Sequence, residues 1–241
     1  MERINLWSSP RNISTALMYS FAQRKDFEVV DEPLYAHYLN ARPEQQLRHP
    51  AAEEVLKSQS KEGRKVLQDF LNQEVREKHL LLKQMTHHLV DIPHSDLLDF
   101  TNILLIRPPE RIIFSYQKVI SKPDIDDIGI KAQAELFEFL HSNKQTPIVL
   151  DTHELLKAPK KVLRMLFEKI GLDFDPSVLS WKAGPRKEDG VWAKHWYSNV
   201  HSSTGFQALS KKEITINKDL IPLLDKCNDI YKLLFQHAIK A

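Results

Sequence analysis

The sequence predicts an α/β fold with a mainly parallel central sheet and helices on both of its faces. Short apolar runs, each long enough for one buried strand, alternate along the chain with helical patterns. This alternation is typical of βα units, which build parallel sheets. A length of 241 residues and a hydrophobic content of 42% suit one compact domain, so we expect residues 1–241 to form a single domain.

The first half of the chain contains three predicted strands and a polar, helical stretch. The first strand begins at about Ile4, and the next two cover 27–30 and 80–85. A helix follows the first strand, because apolar residues recur there at every fourth position: Ile13, Leu17 and Phe21. Residues 40–78 are polar, with helical patterns over 52–60 and 63–78. The expected buried face of the latter helix is Val66, Phe70, Leu71 and Val75.

The second half continues the alternation and then breaks it. Predicted strands cover 103–106 and 147–150, and helical patterns cover 95–100, 107 to about 119, 128–142 and a segment closed by Gly171. Residues 181–206 have no such period. A loop of this length in a compact domain is usually functional or disordered. Four aromatic residues argue against disorder: Trp181, Trp192, Trp196 and Tyr197. Of these, Trp181 and Trp196 are candidate core anchors for the loop.

Composition excludes several classes of protein. Lysine and arginine number 34 against 32 aspartates and glutamates, so no global basicity points to nucleic acid or an anionic membrane. The single cysteine, Cys227, lies in an apolar helical stripe and is expected in the core, with no disulfide framework or cysteine metal site. No stretch approaches the roughly 18 apolar residues of a membrane span, and the early first strand leaves no room for a leader. We expect a cytoplasmic protein, and its oligomeric state stays open.

The loop between the first strand and its helix, residues 8–15, has the chemistry of an anion site. In a parallel sheet this junction lies at the carboxyl end of a strand, where the N–H groups of the helix face the loop. Arg11 adds a permanent charge and a planar fork of donors suited to phosphate or sulfate. Ser14 and Thr15 add hydroxyl groups. The alternative is a buried strand followed by a helix with a serine-rich cap.

Other polar residues also follow predicted strands. They are Glu32, Lys83 with His87 and His88, and Arg107, so the sheet is expected to collect them at one edge. Ser115 lies eight residues after Arg107, which allows both to face one phosphate. Because Pro33 restricts the residue before it, we expect Glu32 to have an extended backbone. Residues 8–15 lack the glycines and the lysine of a Walker A motif, which weakens the case for a magnesium-dependent kinase.

These pieces together resemble the sulfotransferase superfamily, whose P-loop-like enzymes use 3′-phosphoadenosine-5′-phosphosulfate (PAPS). Residues 9–15 (Ser-Pro-Arg-Asn-Ile-Ser-Thr) resemble its 5′-phosphosulfate loop, usually Tyr-Pro-Lys-Ser-Gly-Thr-Thr. Residues 107–115 (Arg-Pro-Pro-Glu-Arg-Ile-Ile-Phe-Ser) resemble its 3′-phosphate motif. The strand and helix over 148–174 resemble a late strand and helix of the family, and the loop over 184–196 resembles the family's loop that closes over the nucleotide. The bacterial-type branch is the most similar, with arginine in place of lysine at position 11 and Ala16 where the cytosolic aryl and steroid enzymes have an adenine-stacking tryptophan.

The resemblance implies a three-layer P-loop-NTPase-like fold and sulfuryl transfer from PAPS to a small-molecule acceptor without a metal, leaving PAP. It implies that Arg11 stabilises the phosphosulfate and that residues 181–206 close over the nucleotide. The remaining implied nucleotide contacts are Ser9, Pro10, Asn12, Ile13, Ser14, Thr15, Arg107, Ser115, Arg186, Lys187, Gly190 and Trp192, the last replacing the missing adenine stack. For Arg186 and Lys187, the alternative is an exposed basic turn.

The catalytic base has more than one candidate. Glu32 is our first choice, since some sulfotransferases use a glutamate from this region, and the alternative for it is a capping or ion-paired carboxylate. His87 and His88 are rivals, although a buried structural role is expected for at least one of them. Lys83 is assigned to the sulfonate, with a solvated lysine as the alternative.

Two other functions stay open at this point. One is an atypical nucleotide or nucleoside kinase with magnesium held by a strand-end acid such as Asp151, and the other is a catalytically silent nucleotide-binding module. Residues 35–78 are expected to form a helical lid on the acceptor side. Candidate acceptor contacts there are Tyr35, His37, Tyr38, Arg42 and His49, which suit sugars, lipids or small alcohols equally well.

Overall fold

The computed structural model describes residues 1–73, 78–117, 123–209 and 214–241. Its strands form one five-stranded sheet in the order β2-β3-β1-β4-β5. They are β1 (Arg3–Ser8), β2 (Phe27–Asp31), β3 (His79–Met85), β4 (Thr101–Ile106) and β5 (Ile148–Asp151). β2 runs parallel to β3, and β4 runs parallel to β5. The predicted α/β fold with a mainly parallel sheet is confirmed, and all five predicted strands are present.

Within the described residues, helices separate and follow the strands. They are α1 (Ser14–Phe21), α2 (Tyr35–Ala41), α3 (Ala52–Ser58), α4 (Gly63–Asn72), α5 (Pro109–Tyr116), α6 (Ile125–Ile128), α7 (Ile130–Ser142), α8 (Thr152–Lys157), α9 (Pro159–Lys169), α10 (Ala193–Trp196), α11 (Ser198–His201) and α12 (Ile221–Gln236). None of the helices within the described ranges is long and apolar enough to cross a membrane.

Several predicted helices differ from the observed ones for local reasons. α4 ends at Asn72, and its buried residue is Leu67 while Val66, Phe70 and Leu71 are half-buried, so the predicted face is displaced; Val75 lies outside the described residues. The helix predicted over 128–142 begins at Ile130, because Gly129 has a φ of +76° and separates α6 from α7. The 95–100 helix is only a 3₁₀ turn over His94–Leu97. α5 ends at Tyr116, and the predicted end at Val119 lies outside the described part of the chain.

Contacts divide the chain into two compact units. The first contains Met1–Leu6, Ser14–Thr101 and Asp175–Phe206, and the second contains Trp7–Ile13, Asn102–Phe174 and Gln207–Ala241.

The first unit aligns the carboxyl ends of β2 and β3. Their parallel register pairs Phe27 with His79 and ends with Asp31 opposite Lys83. A buried cluster from α2, α3 and the region of α10 and α11 lies in the same unit; it includes Tyr35, Tyr38, Leu39, Val55, Trp192 and Tyr197.

The second unit is built on β4 and β5, whose register pairs Ile106 with Asp151. Its core residues are fully buried and include Ile103, Leu104, Leu105, Val162, Leu163, Leu166 and Phe167. α12 packs against α7 and α5. Cys227 on α12 is buried, as its place in the apolar stripe predicts.

Candidate active-site regions

The second unit brings Arg11, Arg107 and Ser115 together beyond the carboxyl end of β4. Arg11 Nε donates a hydrogen bond to Ser115 Oγ at 2.8 Å. The Arg107 guanidinium donates to the backbone carbonyl of Arg11. Two arginines from separate parts of the sequence therefore meet with the serine that the 107–115 spacing singles out.

The group carries the positive charges of Arg11 and Arg107. Burial lowers the pKa of Arg107, and the nearby charges of Arg111 and Arg11 lower it further. Glu110 and Asp151 oppose the shift without reversing it. Over the part of the chain that the structure describes, neither Arg11 nor Arg107 forms an ion pair with a carboxylate. Neighbouring guanidinium groups that form no ion pair with a carboxylate are suited to a bound anion.

Asn12 fixes the conformation of the loop over residues 8–15. Its Nδ2 donates to the carbonyl of Leu105 at 3.0 Å, and its Oδ1 accepts from the Ile13 amide at 2.9 Å. The hydroxyl of Thr152 also lies 2.5 Å from that oxygen. Through these hydrogen bonds the side chain of Asn12 links the Ile13 amide to the end of β4. Arg11 adopts a φ of +57°, a left-handed conformation that costs free energy.

Ser9 and Pro10 pack against the break between α6 and α7. A Cβ atom at Gly129 would lie 3.3 Å from Ser9 Cβ and 3.4 Å from Pro10 Cδ. The Ser9 hydroxyl is buried and has no hydrogen-bond partner within the described residues. A buried, unpaired hydroxyl two residues before Arg11 fits a ligand that accepts a hydrogen bond from it. Ser14 and Thr15 open α1 in the first unit, with Ser14 buried.

Gly129 and Gly171 offer a matched test of this packing. Both have a positive φ, +76° and +73°, but a Cβ at Gly171 meets nothing within 4 Å. We expect Gly129→Ala and Gly171→Ala each to lower the free energy of unfolding by roughly 1–2 kcal/mol, measured by denaturant titration. Only Gly129→Ala is expected to weaken anion binding, because only its new methyl group presses on Ser9 and Pro10. Equal anion affinities in the two variants would contradict this role.

The first unit contains a buried charge cluster at the ends of β2 and β3. Lys83 is fully buried, and its ammonium lies 3.0 Å from Asp31 Oδ1. It also donates to Glu32 Oε1 and, at 3.0 Å, to the hydroxyl of Tyr197. The alternative of a solvated Lys83 is therefore wrong: the strand register places its side chain opposite Asp31 in the interior.

The cluster raises the pKa values of both Lys83 and Glu32, for different reasons. Burial by itself lowers the pKa of Lys83, but the carboxylates of Asp31 and Glu32 outweigh it and hold that pKa well above its usual value. Burial raises the pKa of Glu32 to about 6, and Asp31 adds to the rise while Lys83 opposes it. A carboxyl group with this pKa is ionised at neutral pH and is still a useful base.

The backbone of Glu32 is not extended as predicted; its φ is +39°. The amide of Glu32 continues the strand by donating to the carbonyl of Lys83 at 2.8 Å, and its own carbonyl then turns to accept from the Tyr35 amide at 3.0 Å. Pro33 disfavours the right-handed helical region for Glu32, and the tight turn into α2 selects the left-handed one. Strain of this kind at a side chain with a perturbed pKa is common at functional sites.

The two histidines after β3 are packed among aromatic rings. The ring of His88 stacks on Tyr35 and on Tyr38, with centroid distances of 4.9 and 4.8 Å. Its Nε2 lies 4.0 Å from Glu32 Oε2. Burial lowers the pKa of His88 well below its usual value and that of His87 to about 3. Both imidazoles are neutral at physiological pH, and the expected structural role suits His88.

Asp189, which the sequence reasoning missed, holds together the loop that carries Arg186 and Lys187. Its carboxylate accepts from the hydroxyl of Tyr19 at 2.5 Å, from His201 Nε2 at 2.9 Å and from the Arg186 amide at 2.9 Å. The Arg186 guanidinium lies over the Tyr19 ring, 5.0 Å from its centroid. The side chain of Lys187 is 90% exposed, as an exposed basic turn would be, whereas that of Arg186 is 19% exposed.

The aromatic residues of 181–206 have different surroundings. Trp181, Trp192 and Tyr197 are buried, but Trp196 is 43% exposed, so Trp196 is not a core anchor. α10 and α11 provide local structure in a segment for which no periodicity was visible. Trp192 is only 1% exposed, and its indole N–H donates to Tyr197.

Gly190 lies directly against the Trp192 ring. A Cβ at Gly190 would lie 2.2 Å from two atoms of that ring, and the Gly190 amide donates to Asp31 Oδ2 at 3.2 Å. We expect Gly190→Ala to lower the free energy of unfolding by about 1–3 kcal/mol through overpacking, with a change in tryptophan fluorescence. The double variant with Trp192→Leu is expected to recover part of the loss. Strictly additive losses in this cycle would contradict the direct contact.

Comparison with known proteins agrees with this geometry. A family model described as a sulfotransferase domain matches residues 2–235. The chain belongs to the sulfotransferase family. A curated relative from Arabidopsis thaliana, "Branched-chain-amino-acid aminotransferase-like protein 1", is 38% identical over 238 residues, which is 98% of this chain. That match covers 42% of the relative, so the chain spans less than half the length of the curated relative it matches.

Solved structures confirm the sulfotransferase fold. The sulfotransferase domain from the curacin biosynthetic pathway aligns with a TM-score of 0.55 at 18% identity, covering 97% of each chain. The sulfotransferase domain from the Synechococcus PCC 7002 olefin synthase aligns with a TM-score of 0.52 at 16% identity, covering 94% of each chain. The P-loop-like fold expected from residues 9–15 and 107–115 is thereby confirmed.

Asp151, the candidate magnesium ligand of the kinase alternative, has both carboxylate oxygens in use. Oδ1 accepts from the Glu154 amide at 2.9 Å and caps α8, and Oδ2 accepts from the hydroxyl of Tyr231 at 2.9 Å. These bonds give Asp151 a structural role in the second unit.

Proposed function

We propose that this chain is a PAPS-dependent sulfotransferase that transfers a sulfuryl group to a hydroxyl or amine of a small acceptor without a metal. The observation that carries the proposal is the group of Arg11, Arg107 and Ser115, in which two guanidinium groups lack a carboxylate partner among the described residues. The buried, unpaired hydroxyl of Ser9 supports a ligand at the same loop. Membership of the sulfotransferase family makes PAPS the natural anion.

In the proposed reaction the acceptor oxygen attacks sulfur while the bond from sulfur to the phosphate oxygen breaks, in line. The acceptor loses its proton, and the leaving phosphate of PAP gains negative charge. We assign Arg11 to that phosphate, because a donor pre-oriented toward developing charge gives the most stabilisation. By the family resemblance, Arg107 and Ser115 are assigned to the 3′-phosphate.

Glu32 is the proposed base. Its Oε1 accepts from Lys83, whereas its Oε2 has no hydrogen bond within the described residues and is left to receive the acceptor proton. The pKa of about 6 supports this choice over His87 and His88, whose pKa values lie far lower. Lys83, with contacts to three groups already, is proposed to act on Glu32 and not on the sulfonate.

Residues 181–206 are proposed to make fewer nucleotide contacts than the family resemblance implies. Arg186 and Lys187 stay proposed contacts of the 3′-phosphate. Gly190 and Trp192 pack on each other, and a covered indole ring has no face for adenine, so the proposed nucleotide site does not use Trp192. The acceptor contacts are proposed to come from residues 35–78, whose described part contains α2, α3 and α4.

Mass spectrometry of an acceptor panel tests the proposal. The protein is incubated with PAPS and EDTA together with sugars, lipids and small alcohols or amines, and each mixture is searched for an acceptor whose mass has increased by one SO₃ group. We expect sulfation of one acceptor class and release of PAP. Phosphate transfer from ATP and magnesium, with no sulfation from PAPS, would contradict the proposal and favour a kinase. Binding of PAPS without any transfer would favour a silent module.

A further inference from the structure

The hydroxyl of Tyr197 lies at the centre of a buried hydrogen-bond network in the first unit. It donates to Asp31 Oδ2 at 2.7 Å and accepts from Lys83 Nζ and Trp192 Nε1, both at 3.0 Å. A phenol hydroxyl has one proton and two acceptor sites, so these three bonds use its full capacity. A buried group that is completely satisfied in this way fixes the positions of its partners.

Asp31 and Glu32 are adjacent in sequence but have unequal surroundings. Asp31 Oδ1 is ion-paired with the Lys83 ammonium at 3.0 Å, and Asp31 Oδ2 accepts hydrogen bonds from the Tyr197 hydroxyl at 2.7 Å and from the Gly190 amide at 3.2 Å. Among the described residues, the Glu32 carboxylate accepts a hydrogen bond only from Lys83, at Oε1. Both hydrogen bonds to Asp31 are donated by residues 181–206, which thus stabilise the charge of Asp31 and leave Glu32 the less satisfied carboxylate.

We propose that Tyr197 is a positioning residue that divides the Lys83 ammonium between Asp31 and Glu32 and thereby keeps Glu32 Oε2 free to act as the base. This inference rests on the proposed function. One N–H of Lys83 is directed to the Tyr197 oxygen, and the proton of Tyr197 satisfies Asp31 from the other side. Lys83 then has a single contact left for Glu32, at Oε1, which orients the carboxylate and leaves its other oxygen without a donor.

Groups from several elements face Glu32 and set its protonation. They are Asp31 on β2, Tyr35 on α2, Lys83 on β3, His88 in the turn after β3 and Tyr197 between α10 and α11. Tyr197→Phe removes a donor from Asp31 and an acceptor from Lys83. The less satisfied Asp31 then draws the ammonium away from Glu32, so the pKa of Glu32 is expected to rise.

The test is an NMR titration of the Glu32 carboxyl carbon in protein labelled with ¹³C-glutamate, with Glu32→Gln to assign the signal. We expect a midpoint near 6 in the wild type. In Tyr197→Phe we expect it to rise by about one unit, the size of one lost hydrogen bond to a charged group. Tyr231→Phe is the matched control, since it removes a similar phenol-to-aspartate bond, to Asp151, outside the cluster. It is expected to lower stability and leave the Glu32 midpoint unchanged.

An unchanged Glu32 midpoint in folded Tyr197→Phe would overturn the proposal. If that variant does not fold, Trp192→Phe replaces it. Loss of the indole donor makes the Tyr197 hydroxyl a weaker donor to Asp31, so a smaller rise of the Glu32 midpoint is expected, and no rise overturns the proposal.

Sulfuryl transfer is measured separately. A shifted midpoint in a protein without transfer refutes the proposed function alone. Transfer with an unshifted midpoint refutes only the role of Tyr197. In active enzyme, the midpoint of the acidic limb of the kcat/KM profile should move to higher pH in Tyr197→Phe, while KM for PAPS stays unchanged.

Discussion

Glu32→Gln is expected to lower the rate of sulfuryl transfer by about 10²–10⁴-fold, the usual contribution of a positioned general base. The amide keeps the size of the side chain and an oxygen for Lys83 but does not take up the acceptor proton. KM for PAPS is expected to stay close to its wild-type value. Single-turnover transfer to the acceptor found by the mass-spectrometric screen provides the measurement.

The same residue predicts the pH dependence. The base acts as the carboxylate, and the pKa of Glu32 is raised to about 6. Therefore kcat/KM should be level above this pH and fall tenfold per unit below it. His88→Asn is the comparison variant, because it removes the imidazole 4.0 Å from Glu32 Oε2. Full activity in Glu32→Gln together with a lost activity in His88→Asn would transfer the role of base to the histidine.

Arg11→Ala is expected to cost about 3 kcal/mol or more of transition-state stabilisation, comparable to the loss of one strong oxyanion donor. The variant removes a charge that no carboxylate among the described residues balances and also the bond to Ser115. The loss corresponds to roughly a hundredfold or more in kcat. It is measured as PAP release in the presence of EDTA.

Two further arginine variants control this prediction. Arg11→Lys keeps the charge and loses the planar fork, so an intermediate rate is expected. Arg164→Ala removes an arginine of α9 that packs over Phe174, and its rate is expected to stay within about twofold of wild type, as for a surface change away from the site. Near-native turnover in Arg11→Ala would show that the leaving phosphate is stabilised elsewhere.

Sequence patterns were sufficient for the sheet and for the strand-end placement of polar residues. Each predicted strand is present because its apolar run is buried, and Arg107 and Ser115 meet Arg11 because a helix opens directly after β4. The positive φ of Glu32 could not be predicted from the sequence. It arises because the Glu32 amide still bonds to Lys83 on β3 while its carbonyl already turns toward α2.

The partners of the buried lysine were the main omission. Asp31 follows the predicted strand over 27–30 just as Glu32 does, and the same strand-end argument would have included it. Tyr197 and Asp189 lie more than a hundred residues from their partners Lys83 and Tyr19. No local period carries such contacts, because they depend on how residues 181–206 fold. Gly190 was expected to approach a nucleotide, and the contact that the structure gives it is the Trp192 ring.

Calorimetric titration with PAP in EDTA tests the metal-free phosphosulfate site at Arg11 most directly, since it needs no acceptor. We expect PAP to bind the wild type and to bind Arg11→Ala at least tenfold more weakly. In thermal unfolding, PAP at about 100 times its Kd is expected to raise the free energy of unfolding by about 2.7 kcal/mol. No binding of PAP in EDTA, with ATP bound only in the presence of magnesium, would contradict this site.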